Sequence, residues 1–452
     1  MKGGSTTRPV APGRDRVLVV AYFFPPLGGG GVQRTLKFVR YLPESGWDPV
    51  VIAPRNPGYE IRDERSVDLL PPGLDIERSF VFEPWWPVLR TIQRVVRSAR
   101  SRLSTGATAA RVGRDQTPSR LVRLASIALF PDEHVAWIPF AVRSALRTHR
   151  RQPVSAIYST SPPITGHVVA GIVARQTGLP WVADFRDPWI GNSFLPPLPG
   201  VYRAGQRWIE QWIVHNATRV IAATPSLTTM LRERYPAAAA RISTIPNGYD
   251  SEEIAAIRPV RRDDGFVRLV YAGSIYGGVL DTFLAGVARF LDEDAAAAER
   301  LRVDFFGWLD SESSATARRW LAMPSLANVV SFTEHQPRSN AMAVVGSADA
   351  ALYLLADDPR KALFVGGKLY EYIGLSVPVL AVAPPGDARQ LLESLGWGVI
   401  AEPTPEGVAI GLRKLLASLS RGETADPSRK FDRRTLTVAL AQSLDEARSS
   451  LV

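Results

Sequence analysis

The sequence predicts an α/β protein built from two doubly wound domains. Three observations carry that reading. Short apolar runs such as Val17-Leu18-Val19-Val20 and Val50-Val51-Ile52-Ala53 alternate with stretches whose apolar residues recur three and four apart, the spacing of one helix face. The pattern starts twice, since the run ending in Tyr22 precedes four glycines at 28–31, and the run 267–273 precedes Gly277-Gly278. A chain of 452 residues is also too long for one ordinary core.

Residues 1–15 are polar and rich in Pro and Gly, so they read as a disordered lead rather than a signal peptide. The first strand covers 17–22 and ends at Pro25-Pro26. A glycine loop follows, then a helix with Val32, Leu36, Val39 and Leu42 on one face and Gly46 as its stop. With the strand at 50–53 this is a βαβ unit. Its glycines are consecutive, unlike the G-x-G-x-x-G of dinucleotide sites. Gly29 and Gly30 let a ligand or another backbone approach closely, or form a plain flexible loop.

From Trp85 to Leu103 the pattern changes. Apolar residues recur at helical spacing, while Arg90, Arg94, Arg97, Arg100 and Arg102 fill the other faces with no acid among them. Tryptophan and leucine opposite arginine is the composition of a helix lying on an anionic membrane surface. A helix packed on the core with solvated arginines is the alternative. Residues 104–119 are small and polar, and 121–130 form a second amphipathic stretch.

Alternation resumes with a strand at 156–160. Pro162-Pro163 opens a helix carrying His167 and closed by Gly178, and 181–183 lead as a strand into Asp184-Phe185-Arg186-Asp187-Pro188-Trp189. A helix at 204–216, a strand at 219–223, a helix at 227–235 and a strand at 241–245 follow, up to the turn Pro246-Asn247-Gly248. The charged stretch 250–264 reads as a linker. In the second half, strands are expected at 267–273, 303–306, 329–332, 350–355, 377–382 and 398–400. The domains are therefore expected at 16–247 and 248–432, facing across a cleft. A last helix at 433–452 would lie on either domain, with a return to the first one open. Ligands of such sheets bind at the carboxyl ends of the strands.

The stretch Gly366-Gly367-Lys368-Leu369-Tyr370-Glu371-Tyr372 lies between two apolar runs. A strand, a glycine loop and a helix start aim N–H groups and the positive end of a helix above the sheet edge, which suits an anion. Lys368 adds a point charge. Glu371, one turn further in, is placed to accept from sugar hydroxyls. An ordinary α/β helix with a solvated Lys and Glu is the rival reading.

Composition narrows the function. Cysteine is absent, which excludes disulfides, thiolate metal sites and a cysteine nucleophile, and fits a cytosolic protein. The five histidines, His134, His149, His167, His215 and His335, show no zinc spacing. The net charge of +10 points to a polyanionic partner. Nucleic acid ranks last, because the aromatics do not interleave with the basic residues as a stacking platform requires. Asp292-Glu293-Asp294 matches a metal-binding D-x-D, but no strand precedes it. Asp184 and Asp187 follow a buried strand, where each would orient an acceptor hydroxyl, act as base or cap the loop. His167 either packs in its helix or acts at the site. Asp132-Glu133-His134 lines the acceptor side or is solvated loop.

Taken together, Tyr22-Phe23-Phe24-Pro25-Pro26 with the glycine loop and Val32-Gln33-Arg34, then Ser159-Thr160-Ser161-Pro162-Pro163, Asp184–Trp189, Ile245–Asp250, Tyr271-Ala272-Gly273-Ser274 and Lys368–Tyr372 resemble family-4-type retaining glycosyltransferases of the GT-B fold. The resemblance implies two Rossmann-like domains: an N-terminal acceptor domain and a C-terminal domain that binds a nucleotide-sugar. It implies hexosyl transfer with retention and no metal or cofactor beyond the nucleotide-diphosphate-sugar substrate. The site residues would be Asp184, Asp187 and His167 for chemistry, and Gly29, Gly30, Gly273, Lys368, Leu369 and Glu371 for the donor. Glu371 matches the second glutamate of the family's E-x7-E motif, which contacts the nucleotide ribose. The first falls on Leu363, and the usual Arg…Lys pair after Gly273 is replaced by Ser274-Ile275-Tyr276-Gly277. The donor diphosphate would then rest on Lys368, helix N-termini and the loop N–H groups, with Arg360 or Lys361 of the preceding loop able to reach the site as well. A lipid-linked or glycan acceptor, an anionic membrane surface and a peripheral place at the cytoplasmic face complete the expectation. A sugar-nucleotide epimerase and a non-catalytic GT-B scaffold are the alternatives.

Overall fold

The computed structural model describes residues 14–58, 61–85, 129–192, 200–259, 264–275, 278–334, 336–396, 398–421 and 429–450. The chain divides into two compact units, one running to Asn247 and resuming at Arg433, the other covering Gly248–Asp432.

The first unit holds a seven-stranded parallel sheet in the order β3-β2-β1-β4-β5-β6-β7. Its strands are β1 (Asp15–Val20), β2 (Trp47–Pro54), β3 (Asp75–Ser79), β4 (Ala156–Ser161), β5 (Trp181–Phe185), β6 (Arg219–Ala222) and β7 (Ile242–Thr244). The helices are α1 (Gly30–Tyr41), α2 (Ile138–Arg151), α3 (Thr165–Thr177), α4 (Gly200–Asn216) and α5 (Pro225–Arg234). Leu18 and Val20 of β1 face a core made with α2, α3, α4 and α5, whereas Val17 and Val19 face α1 and the final helix. All four are fully buried, as expected of a parallel strand covered on both faces.

The second unit holds a six-stranded parallel sheet in the order β10-β9-β8-β11-β12-β13. Its strands are β8 (Val267–Ala272), β9 (Leu301–Phe306), β10 (Val330–Thr333), β11 (Ala350–Leu354), β12 (Val379–Val382) and β13 (Val399–Ala401). Its helices are α6 (Ser251–Ala256), α7 (Val279–Glu293), α8 (Ala295–Arg300), α9 (Ser311–Leu321), α10 (Pro324–Ala327), α11 (Arg338–Gly346), α12 (Gly367–Gly374), α13 (Asp387–Leu395) and α14 (Pro405–Ser420). In each sheet the strand order reverses once, between β1 and β4 and between β8 and β11. Those two points are where an open α/β sheet offers a ligand site.

Three elements depart from the expectations. β3 pairs with β2 although its residues before Ser79 are only partly buried. α2 fills the stretch before β4 with an amphipathic helix. The charged stretch after Asp250 holds α6, because the Asp250 carboxylate accepts from the Glu252 and Glu253 N–H groups and caps it. Beyond Trp85, the arginine-rich segment 85–103 lies outside the described residues, as do 1–13, 104–119, 121–128, Gly277 and His335.

The last helix, α15 (Arg433–Ser449), completes the first unit. Leu436, Leu440 and Leu444 bury against the sheet face shared with α1. Arg434 pairs with Glu44, and Glu446 with Arg219, both at 3.3 Å. Surface pairs of this kind add little, so the apolar seam holds the helix. Leu440→Ala is expected to cost about 2–5 kcal/mol, read as a lower urea midpoint of the first unit's transition. An unchanged midpoint would show that α15 is not part of this core.

Candidate functional site

In the second unit, α12 starts at a switch point. Gly366 is its N-cap, and the Gly366 N–H donates to Tyr353 Oη at 2.9 Å. Leu369, Tyr370, Tyr372 and Ile373 anchor the helix in the core. Gly367, by contrast, is exposed, and open space surrounds the place its Cβ would take. Lys368 therefore projects from the first turn towards the end of β8. Its ammonium donates to Tyr271 Oη at 2.7 Å and lies 3.9 Å from the centre of that ring. Gly273, at φ 133°, leaves the room, since a Cβ there would stand 2.6 Å from Lys368 Nζ. A cation, a helix N-terminus and an uncluttered glycine rim thus meet at one point.

Glu371 follows one turn later. Its Oε1 accepts from Arg338 Nε at 3.1 Å and Nη2 at 2.7 Å. Arg338 Nη1 also bonds Glu253 of α6. Burial opposes the Arg338 charge, but the two carboxylates outweigh it and hold its pKa above the usual arginine value. Leu363 ends the turn Pro359–Leu363 half-buried. Arg360, expected to reach the site, instead forks onto Asp358 at 2.7 Å on the surface. Lys361 stands over Phe364. Glu293 of the D-x-D pairs with Arg289 and Arg413.

The first unit is built differently at its switch point. Asp184 lies within β5 and is fully buried. Arg34 of α1 forks onto it, with Nε to Oδ2 at 2.7 Å and Nη2 to Oδ1 at 3.0 Å, and Tyr158 Oη donates to Oδ2. Burial first, then Asp184, pushes the Tyr158 pKa well up. Arg34 also donates to the carbonyls of Ile245 and Pro246 at 2.8 and 2.7 Å. Arg186 spends its guanidinium on the carbonyls of Ser161, Pro162 and Gly31. It sits where a Gly31 side chain would go, with Nη1 3.2 Å from that position. This pins the glycine loop. Gly29 at φ 93° begins α1, and Gly30 is exposed to open space. Asp187 is half-buried in the loop after β5.

His167 is fully buried in α3, on the opposite face of the sheet from Asp184. Its Nδ1 lies 2.7 Å from Ser159 Oγ, which also accepts from Trp181 Nε1. Its Nε2 has no partner among the described residues. Burial lowers its pKa to about 3. The structure therefore does not bring Asp184 and His167 together.

A second polar cluster lies at the carboxyl end of β1. Glu83 Oε1 accepts from Tyr22 Oη at 2.6 Å and meets His134 Nδ1 at 2.8 Å, and Glu83 Oε2 accepts from the Gly58 N–H. Burial would raise the Glu83 pKa, but the hydrogen bonds from His134 and Tyr22 outweigh it and hold it low. Burial opposes charge on His134 too, and there Glu83, Asp132 and Glu133 prevail and raise its pKa. Asp132 caps α3 through the Thr165 N–H and hydroxyl. Glu83 was beyond the reach of sequence reasoning. The one signal was Asp132-Glu133-His134 itself, an acidic run that ends in a histidine.

Residues 103–253 match the family model described as Glycosyltransferase Family 4. No curated protein matches the chain. A glycosyltransferase from Rickettsia africae superposes with a TM-score of 0.56 at 13% identity, over 97% of both chains. Sucrose-phosphate synthase from Thermosynechococcus elongatus gives 0.56, 13% and 97% of both chains. Anabaena HepE, solved in complex with UDP, gives 0.51 at 12% identity over 97% of this chain and 98% of that one.

The fold is GT-B.

Two stability measurements check this geometry. Arg34→Ala strands a buried carboxylate and is expected to destabilise the first unit by about 3–5 kcal/mol, read by urea denaturation. A cost below 1 kcal/mol would refute the pair's role. His167 is depressed from 6.5 to about 3 on folding. The unfolded chain therefore binds more protons between those values, and its contribution is complete above pH 6.5 and lost as pH falls. His167→Gln should flatten the loss of stability between pH 6.5 and 4. An unchanged slope would contradict it.

Proposed function

We propose that the protein is a nucleotide-sugar-dependent glycosyltransferase of hexosyltransferase type, with the donor held by the C-terminal unit and the acceptor by the N-terminal unit. The observation that supports it most is Lys368 poised over Gly273 and Tyr271 at the start of α12, one turn before Glu371. A diphosphate is the anion that fits there. Breaking the bond from the sugar's anomeric carbon to the diphosphate leaves negative charge on the diphosphate. Lys368 and the α12 N-terminus would stabilise that charge in place, without reorganising. The acceptor hydroxyl oxygen forms the new bond to the anomeric carbon, and its proton passes to the departing diphosphate. The match to the family model and the UDP-bound Anabaena relative support a sugar nucleotide as donor.

The finer reading extends the family resemblance: retention of the anomeric configuration, activity without a divalent metal, and a lipid-linked or glycan acceptor reached at an anionic membrane surface from the cytoplasm. Among the described residues no helix is long and apolar enough to cross a membrane. Asp187, in the loop after β5, is the carboxylate we assign to the acceptor hydroxyl. Asp184 and His167 hold the surrounding backbone and core.

A non-catalytic scaffold is the second reading, favoured by Leu363 at the position of the family's first glutamate. A panel of UDP, GDP and ADP in thermal shift selects the nucleotide, because a ligand that binds only the folded state raises the melting temperature. Lys368→Ala should then weaken binding by about 1.5–3 kcal/mol. Unchanged affinity by calorimetry would remove the donor assignment. Transfer of label from the matching sugar nucleotide to extracted lipid or glycan, surviving EDTA, separates an enzyme from a scaffold. Complete loss in EDTA restored by magnesium would contradict the metal-free reading, and an inverted product would contradict retention.

A further inference from the structure

We infer that Arg338 is a positioning residue that holds Glu371 ready for the ribose diol of the donor, which makes the site selective for ribonucleotides. The inference rests on the donor reading of α12.

Lys368 and Glu371 are three residues apart on α12 and are neighbours on its surface. A diphosphate at Lys368 therefore places the attached nucleoside within reach of Glu371. The two Arg338 bonds both end on Glu371 Oε1. Among the described residues no hydrogen bond reaches Oε2. One oxygen is thus fixed from behind and the other is left to accept. A carboxylate in that state suits vicinal hydroxyls, which are donors, and does nothing for a sugar that lacks them.

The position of Arg338 is not explained by its own helix. It is the first residue of α11, after the extended N-cap Pro337, where the helix field disfavours a cation. Two carboxylates hold it there instead, Glu371 on α12 and Glu253 on α6. Lysine offers a point charge and cannot reproduce paired donation from Nε and Nη2.

The test is calorimetry with the tightest binder among UDP, GDP and ADP, paired with its 2′,3′-dideoxy counterpart. The parent protein should prefer the ribonucleotide by roughly ten- to hundredfold, the worth of a charged hydrogen bond. Arg338→Ala should erase most of that preference and leave the affinity for the dideoxy compound within about twofold. Arg338→Lys, the variant that keeps the charge, should recover only part of it. A general loss of structure would lower both affinities together, and would overturn a positioning role. If Glu371→Ala keeps the full preference, or no nucleotide binds the parent, the donor reading fails and the inference with it. If Glu371→Ala erases the preference while Arg338→Ala and Arg338→Lys retain it, the inference alone is overturned.

Discussion

The carboxyl edge of the first sheet depends on the pair of Arg34 and Asp184. Both side chains are almost wholly buried, so neither charge has water to turn to. A buried ion pair stabilises only when its remaining donors and acceptors are satisfied. Here they are: Tyr158 completes Asp184, and the carbonyls of Ile245 and Pro246 take the other Arg34 donors. One guanidinium thereby ties α1 to β5 and to the segment after β7. Arg186 does the same work beside it with three more carbonyls. Arg186 also holds the end of the glycine loop through the Gly31 carbonyl.

The two units use basic residues in opposite ways. In the first, Arg34 and Arg186 bond the Asp184 carboxylate and the protein's own backbone carbonyls. In the second, Lys368 meets the Tyr271 hydroxyl and ring beside the N-terminus of α12. A cation beside a helix N-terminus suits a phosphorylated ligand. The net charge of the whole chain would not have separated them.

Much of the fold was legible because parallel strands buried on both faces are written as unbroken apolar runs. Val17-Leu18-Val19-Val20 and Ala350-Ala351-Leu352 announced β1 and β11 in this way. β3 was not, since Asp75, Glu77 and Arg78 of an edge strand carry no such signature. The site divides along the same line. Gly273 and Lys368 could be proposed because a glycine rim and a helix start are local features of the chain. Arg338 and Glu83 could not, for their partners stand 33 and 51 residues away. Arg34 was visible in a motif, yet nothing local says that it would be buried against Asp184, 150 residues on.

The first unit is discontinuous: α15 belongs to it but is encoded after the whole of the second. During synthesis the amino-terminal sheet emerges first, with one face covered by α1 alone, and waits for α15 until the second unit has been made. The later-born unit is thus the first that can close completely. Interrupted translation would leave a protein with a finished second unit and an open seam beside α1, a natural target for chaperones and proteases.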